Sequence, residues 1–126
     1  WVDAHPDHVA ATALIEAARF WAKLTKSDLP GDPHHPERIF NYYCVHLRMA
    51  PHPAFILDIS SYWPQKLEAI RCYHSQFIAS RENESPSFLD RLRDEAAYWG
   101  KTIGRKYGEP FACREPIALS SMNSLI

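Results

Sequence analysis

Proline decides where regular structure can run in this chain. Inside a helix a proline removes a hydrogen bond and clashes with the preceding turn, and inside a strand it removes a ladder donor. The ten prolines of the 126-residue sequence therefore confine its elements to the stretches between them. The segment from Ser27 to Pro36 carries Pro30, Pro33 and Pro36 with Gly31 and two aspartates, and reads as a loop. Pro51 and Pro53, flanking His52, form a second break. Pro6 is placed differently: it suits the first turn of a helix, where its missing N–H has no intrahelical partner anyway.

Between these breaks the apolar periodicity sorts the elements. Val9, Ala13, Leu14, Ala17, Phe20, Trp21 and Leu24 recur at steps of three and four, which predicts an amphipathic helix over 8–24 whose apolar face is buried. Arg38 to Val45 and Ala54 to Ile59 are short, rich in aromatic and β-branched residues, and read as strands. Trp63, Leu67, Ile70, His74 and Phe77 predict a second helix over 64–78 with Ser60 or Ser61 as cap. A third opens at Pro86, packs through Leu89, Leu92, Ala96, Trp99 and Ile103, and ends at Gly104 or Gly108. Ile117 to Leu119 is a last short strand candidate, and residues 120–126 read as a frayed tail. Strands interleaved with helices predict an α/β layer structure. Three short strands are few for a doubly wound sheet, which usually has about five, so residues 1–126 are expected to be a single, incomplete domain with its N-terminal strands missing.

Charge and composition close off several functions. Lys and Arg total 14 against 15 for Asp and Glu, so no broad positive field exists for nucleic acid or an anionic membrane. No apolar run approaches the roughly 18 to 20 residues that span a bilayer, and the start has no signal-peptide pattern, which implies a cytoplasmic protein without membrane contact. Cys44, Cys72 and Cys113 are odd in number and widely spaced, against both a disulfide framework and a CxxC metal site, and are expected to be reduced and buried.

The strongest chemical signal is Asp3-Ala4-His5-Pro6-Asp7-His8, two imidazoles three residues apart at a helix start and so on one face. Neutral imidazole is a good zinc ligand, and its second nitrogen is normally oriented by a carboxylate or carbonyl, here Asp3 or Asp7. Spacing alone also fits a polar helix N-terminus capped by proline. A functional cluster within five residues of Trp1 points to an upstream segment outside these 126 residues.

His5-Pro6-Asp7-His8 followed by Val9-Ala10-Ala11 resembles the second motif of the LmbE-like (PIG-L) N-deacetylases. Phe55-Ile56-Leu57-Asp58-Ile59-Ser60 is similar to their Val/Ile-Asp-Ile-Ser segment, and Lys66 to Phe77 to their Lys-x-x-Ala-x-x-x-Tyr-x-Ser-Gln-Phe helix. Tyr107-Gly108-Glu109-Pro110-Phe111 matches a Tyr-x-Glu-x-Phe segment, so the similarity runs colinearly to about Leu119. The nearest branch is the bacillithiol-type N-acetylglucosaminyl-malate deacetylases.

The resemblance implies the C-terminal portion of a Rossmann-like three-layer sandwich and zinc-dependent removal of acetyl from an amino-sugar conjugate. It implies that His8 is a metal ligand, the other ligands and the general base coming from an Ala-His-Pro-Asp-Asp motif that this sequence does not contain. It makes His5 the acid that stabilises the tetrahedral intermediate or protonates the leaving amine, Asp3 the group orienting the His5 ring, and Tyr107 an oxyanion donor. Many bacillithiol-type members have Arg where this chain has Ala4. The chain alone is expected to be inactive. Its expected partners are a small N-acetyl amino-sugar substrate and, in a homo-oligomer, further copies of itself.

Other residues carry weaker signals. Arg48, after a strand end where sites on α/β sheets gather, is a candidate for a substrate carboxylate. His34, His35, His46 and His52 lie in loops or at strand ends, and Trp63, Tyr73, Phe77 and Trp99 read as core. Asp58 reads as a structural hydrogen-bond acceptor for a neighbouring loop, and Tyr107 reads equally as a ring packed at a helix end. The competing reading for the whole is a non-catalytic metal-binding or oligomerisation fragment of the same fold.

Overall fold

The computed structural model describes residues 3–44 and 52–125, with the side chains of 124 and 125 left aside. The chain forms two compact units, one of Trp1–Ala54 with Ala112–Ile126 and one of Phe55–Phe111.

In the first unit, α1 spans Pro6–Ala22, with Pro6 in the first turn as predicted and His5 as N-cap. Its apolar face is not where periodicity puts it. No residue of α1 is buried, and Val9, Leu14 and Trp21 are exposed along with Ala13 and Ala17. The half-covered residues are Thr12, Glu16 and Arg19, which share the opposite, polar stripe. On that stripe Arg19 is held by its neighbours: its Nε donates to Pro36 O at 2.8 Å and its guanidinium pairs with Glu115 at 2.9 Å. Glu16 pairs with Arg114 at 2.9 Å. Directed ion pairs and carbonyl acceptors thus fix the helix by its polar side.

The strand expected over 38–45 shrinks to β1, Asn41–Tyr42. The one expected at 117–119 does not form, and Met122–Leu125 makes a 3-10 turn instead of a frayed tail. Pro116 O accepts from Arg38 at 2.7 Å, a side-chain bond in place of a ladder.

The second unit is built on β2, Phe55–Asp58, where a strand was expected. Between it and the third helix, α2 covers Trp63–Arg71 and α3 His74–Phe77, so the helix predicted as continuous breaks at Cys72–Tyr73. Ser60 does not cap α2, whose N-cap is Tyr62. Helix α4, Phe88–Thr102, starts two residues after Pro86, because Ser87 accepts the Asp90 N–H and Asp90 accepts the Ser87 hydroxyl in return. It ends at Gly104, whose φ of +67° is the left-handed conformation glycine adopts without strain.

Periodicity missed β3, Gly108–Ala112, since Gly108 and Pro110 read as strand breakers. It pairs antiparallel with β2 in the register Phe55↔Phe111 to Asp58↔Gly108, and the two phenylalanine rings stack at 5.2 Å. Gly108, Pro110 and Ala112 alternate as buried positions along it.

Ile59, Trp63 and Ala96 form the core of this unit, with Leu67, Leu92 and Tyr107 packed on it. Trp99 is buried as predicted, whereas Tyr73 is exposed. Gly100 is needed for close approach: a Cβ there would stand 2.7 Å from Lys106 C and Tyr107 N and 2.8 Å from Arg105 O. These are backbone atoms that cannot step aside. Gly100→Ala is expected to destabilise the protein by roughly 1–3 kcal/mol, read from denaturant midpoints, and an unchanged midpoint contradicts the packing described.

Candidate active site

The N-terminus of α1 gathers three side chains and brings in a fourth from far along the chain. Asp3, two residues before the N-cap, accepts the His5 backbone N–H with Oδ1 at 2.7 Å. This bond turns its second oxygen across the first helical turn, where Oδ2 lies 3.1 Å from His8 Nδ1. Cys44 donates its thiol to the same oxygen at 2.7 Å, with Sγ also 3.3 Å from His8 Nδ1. The i, i+3 spacing stacks the His5 and His8 rings at 4.8 Å and 25°.

Asp3 bonds the His5 backbone and the His8 ring. Its side chain is only 10 % exposed, and the Cys44 thiol, followed by the His5 N–H, holds its carboxyl well below the usual carboxylate range. Asp3 is therefore an anion at neutral pH. The cysteines are not in disulfides, but none is buried: Cys72 is exposed, and Cys44 and Cys113 are half-buried.

His5 also acts as a cap, its Nδ1 accepting the Asp7 N–H at 3.3 Å. An accepting Nδ1 in the neutral ring places the proton on Nε2.

Asp3, His8 and Cys44 each offer a ligand atom, all within 4.8 Å of one another. Oxygen, nitrogen and sulfur donors of these kinds suit zinc. The chemistry of the donor set therefore fits that ion, with His8 able to supply the nitrogen.

Tyr107 belongs to the other unit. Its ring stacks on Trp63 at 4.5 Å, and its backbone is clamped by Ser60, whose Oγ accepts the Tyr107 N–H at 3.1 Å, and by the Ile59 N–H donated to Tyr107 O at 3.1 Å. Asp58 accepts the Ser60 N–H at 2.9 Å and faces Arg105 at 3.4 Å, the structural role expected for it. Glu109 pairs with Lys66 at 2.7 Å. Arg48 and His46 lie outside the described residues. His34, His35, His52 and His74 are exposed. Cys44 is the functional candidate that sequence reasoning passed over. The usable signal was its place at the end of a predicted strand, but nothing in the sequence brings residue 44 to residues 3 and 8.

No family model matches the chain. Over 112 residues it is 35% identical to diacetylchitobiose deacetylase of Thermococcus kodakarensis, covering 85% of this chain and 39% of that protein. Among solved structures, the conserved protein TT1542 from Thermus thermophilus superposes with a TM-score of 0.79 at 33% identity, over 94% of this chain and 50% of that one. N,N'-diacetylchitobiose deacetylase from Pyrococcus horikoshii, complexed with its inhibitor MPG, gives 0.65 at 28% identity, over 100% and 48%. The chain spans half or less of each of these relatives. Its class is a mixed α/β protein with a small antiparallel sheet. It is homologous to part of diacetylchitobiose deacetylase.

Proposed function

We propose that this chain carries part of the active site of a zinc-dependent N-deacetylase acting on an N-acetylglucosamine-type substrate. The observation that carries this reading is the meeting of Asp3, His5 and His8 at the start of α1. In the reaction, water adds to the acetyl carbonyl carbon, the C–N bond breaks, acetate departs and the amine takes a proton. His8 would hold the metal, and Asp3 fixes the His8 ring through Nδ1. Zinc at such a site supplies Lewis acidity toward a carbonyl and toward water. Iron accepts the same ligand types, so the choice of zinc rests on the family resemblance.

His5 is the proposed acid. Its Nδ1 is engaged with the Asp7 N–H, so Nε2 is the nitrogen that delivers the proton to the amine. For Tyr107 the support lies in its own unit: the Trp63 stack and the Ser60 clamp give a rigid mount, which a hydroxyl donating to a developing oxyanion requires.

We further read residues 1–126 as one incomplete LmbE-like domain of Rossmann-like layering in a cytoplasmic enzyme. Among the described residues no helix is long and apolar enough to cross a membrane. The 126-residue chain by itself is expected to release no acetate, because the Ala-His-Pro-Asp-Asp motif that would supply the base is absent from it.

The test is acetate release by the protein expressed from its complete reading frame, with N,N'-diacetylchitobiose and N-acetylglucosaminyl-malate as substrates. Activity on the malate conjugate favours the bacillithiol branch and a role for Arg48 at its carboxylates. A zinc-loaded protein that cleaves neither compound counts against the reading, as does turnover by residues 1–126 alone.

A further inference from the structure

We propose that Cys44 is a positioning residue that acts through Asp3 to fix the metal-binding face of His8. The inference deepens the zinc deacetylase reading and rests on it. Asp3 reaches His8 from outside the helix, and both of its carboxylate oxygens are held. The His5 backbone N–H holds Oδ1, and the Cys44 thiol holds Oδ2. With its carboxylate plane so fixed, Asp3 lies 3.1 Å from His8 Nδ1. A ring N–H donated from Nδ1 to that anion makes Nε2 the nitrogen with the lone pair, the form a metal ligand needs, and raises its basicity.

Cys44 comes from a segment 41 residues beyond Asp3, so it also ties the first turn of α1 to the stretch after β1. The carboxylate–histidine–metal arrangement thereby gains a fourth member, with the thiol as its outermost donor. The competing use of the same geometry is a metal bound directly by Cys44, Asp3 and His8, whose ligand atoms lie close enough together. Positioning is the use that fits one carboxylate oxygen meeting both the thiol and His8 Nδ1 when Nδ1 carries the ring proton.

The experiment is zinc titration by calorimetry on the protein from its complete reading frame, comparing wild type with Cys44→Val and Cys44→Ser. Valine keeps the bulk of cysteine and removes the donor, while serine keeps a donor and loses apolar bulk. Loss of a group that orients a metal-ligating histidine typically weakens metal binding about 10- to 100-fold, and Cys44→Val is expected in that range. Cys44→Ser is expected within a few-fold of wild type. A merely structural cysteine predicts the reverse order. Equal affinity in all three proteins, or that reverse order, overturns the proposal.

Substitution by cobalt supplies the second readout. A sulfur-to-cobalt charge-transfer band that vanishes in Cys44→Ser makes Cys44 a ligand and overturns the positioning role while leaving the deacetylase reading intact. No such band is expected. Stoichiometric zinc retained by His8→Ala would overturn both readings together.

Discussion

Replacing His8 by alanine in the protein expressed from its complete reading frame is expected to remove bound zinc and deacetylase activity together. His8 sits in the first turn of α1, where the N-cap and Pro6 fix the backbone. Its ring is further held by the Asp3 carboxylate and the stacked His5 ring. A metal ligand with this much orientation contributes binding energy that no neighbouring water replaces. The remaining Asp3 carboxylate then faces no ring, and the Cys44 contact alone does not rebuild a nitrogen ligand. Elemental analysis of the purified variant decides the point. The fold should survive, because His8 is exposed and the core of the second unit lies elsewhere in the chain.

Replacing His5 is expected to leave zinc in place and reduce kcat by about 10² to 10⁴, the range for loss of a general acid. KM should change little. Alanine alone is an imperfect probe, since His5 is also the N-cap of α1 and losing a cap costs about 0.5–2 kcal/mol. Asparagine separates the two roles: it is a strong N-cap but does not deliver a proton at neutral pH. His5→Asn should match the wild type in thermal midpoint and zinc content while showing the same loss of kcat as His5→Ala. Near-normal turnover in the asparagine variant removes His5 from the chemistry. Loss of zinc makes it a ligand.

Most elements were legible in the sequence because their signals are local. Pro6 marks the start of α1, Pro86 the approach to α4, and the apolar run before Ser60 marks β2. The break between α2 and α3 was not, since the apolar period continues across Cys72 and Tyr73 while the backbone turns. Strand β3 was hidden for the opposite reason: Gly108 and Pro110 lower strand propensity, yet pairing with β2 overrides it. What covers α1 was not legible either. Periodicity identifies an apolar stripe but not its cover, and the ion pairs of Arg19 and Glu16 with residues about 100 positions away lie on the polar stripe.

The candidate site divides along the same line. His5 and His8 share a face because a helix repeats every 3.6 residues, and their imidazoles favour metal and proton chemistry through residue type alone; the sequence by itself determined both. It also determined the colinear motifs that mark the family resemblance. Which carboxylate oxygen meets which ring, and that Cys44 stands behind Asp3, only the tertiary structure decided. The reason is physical: a hydrogen bond between side chains some forty residues apart depends on how the intervening chain returns, and no local preference at Asp3, His8 or Cys44 encodes that path.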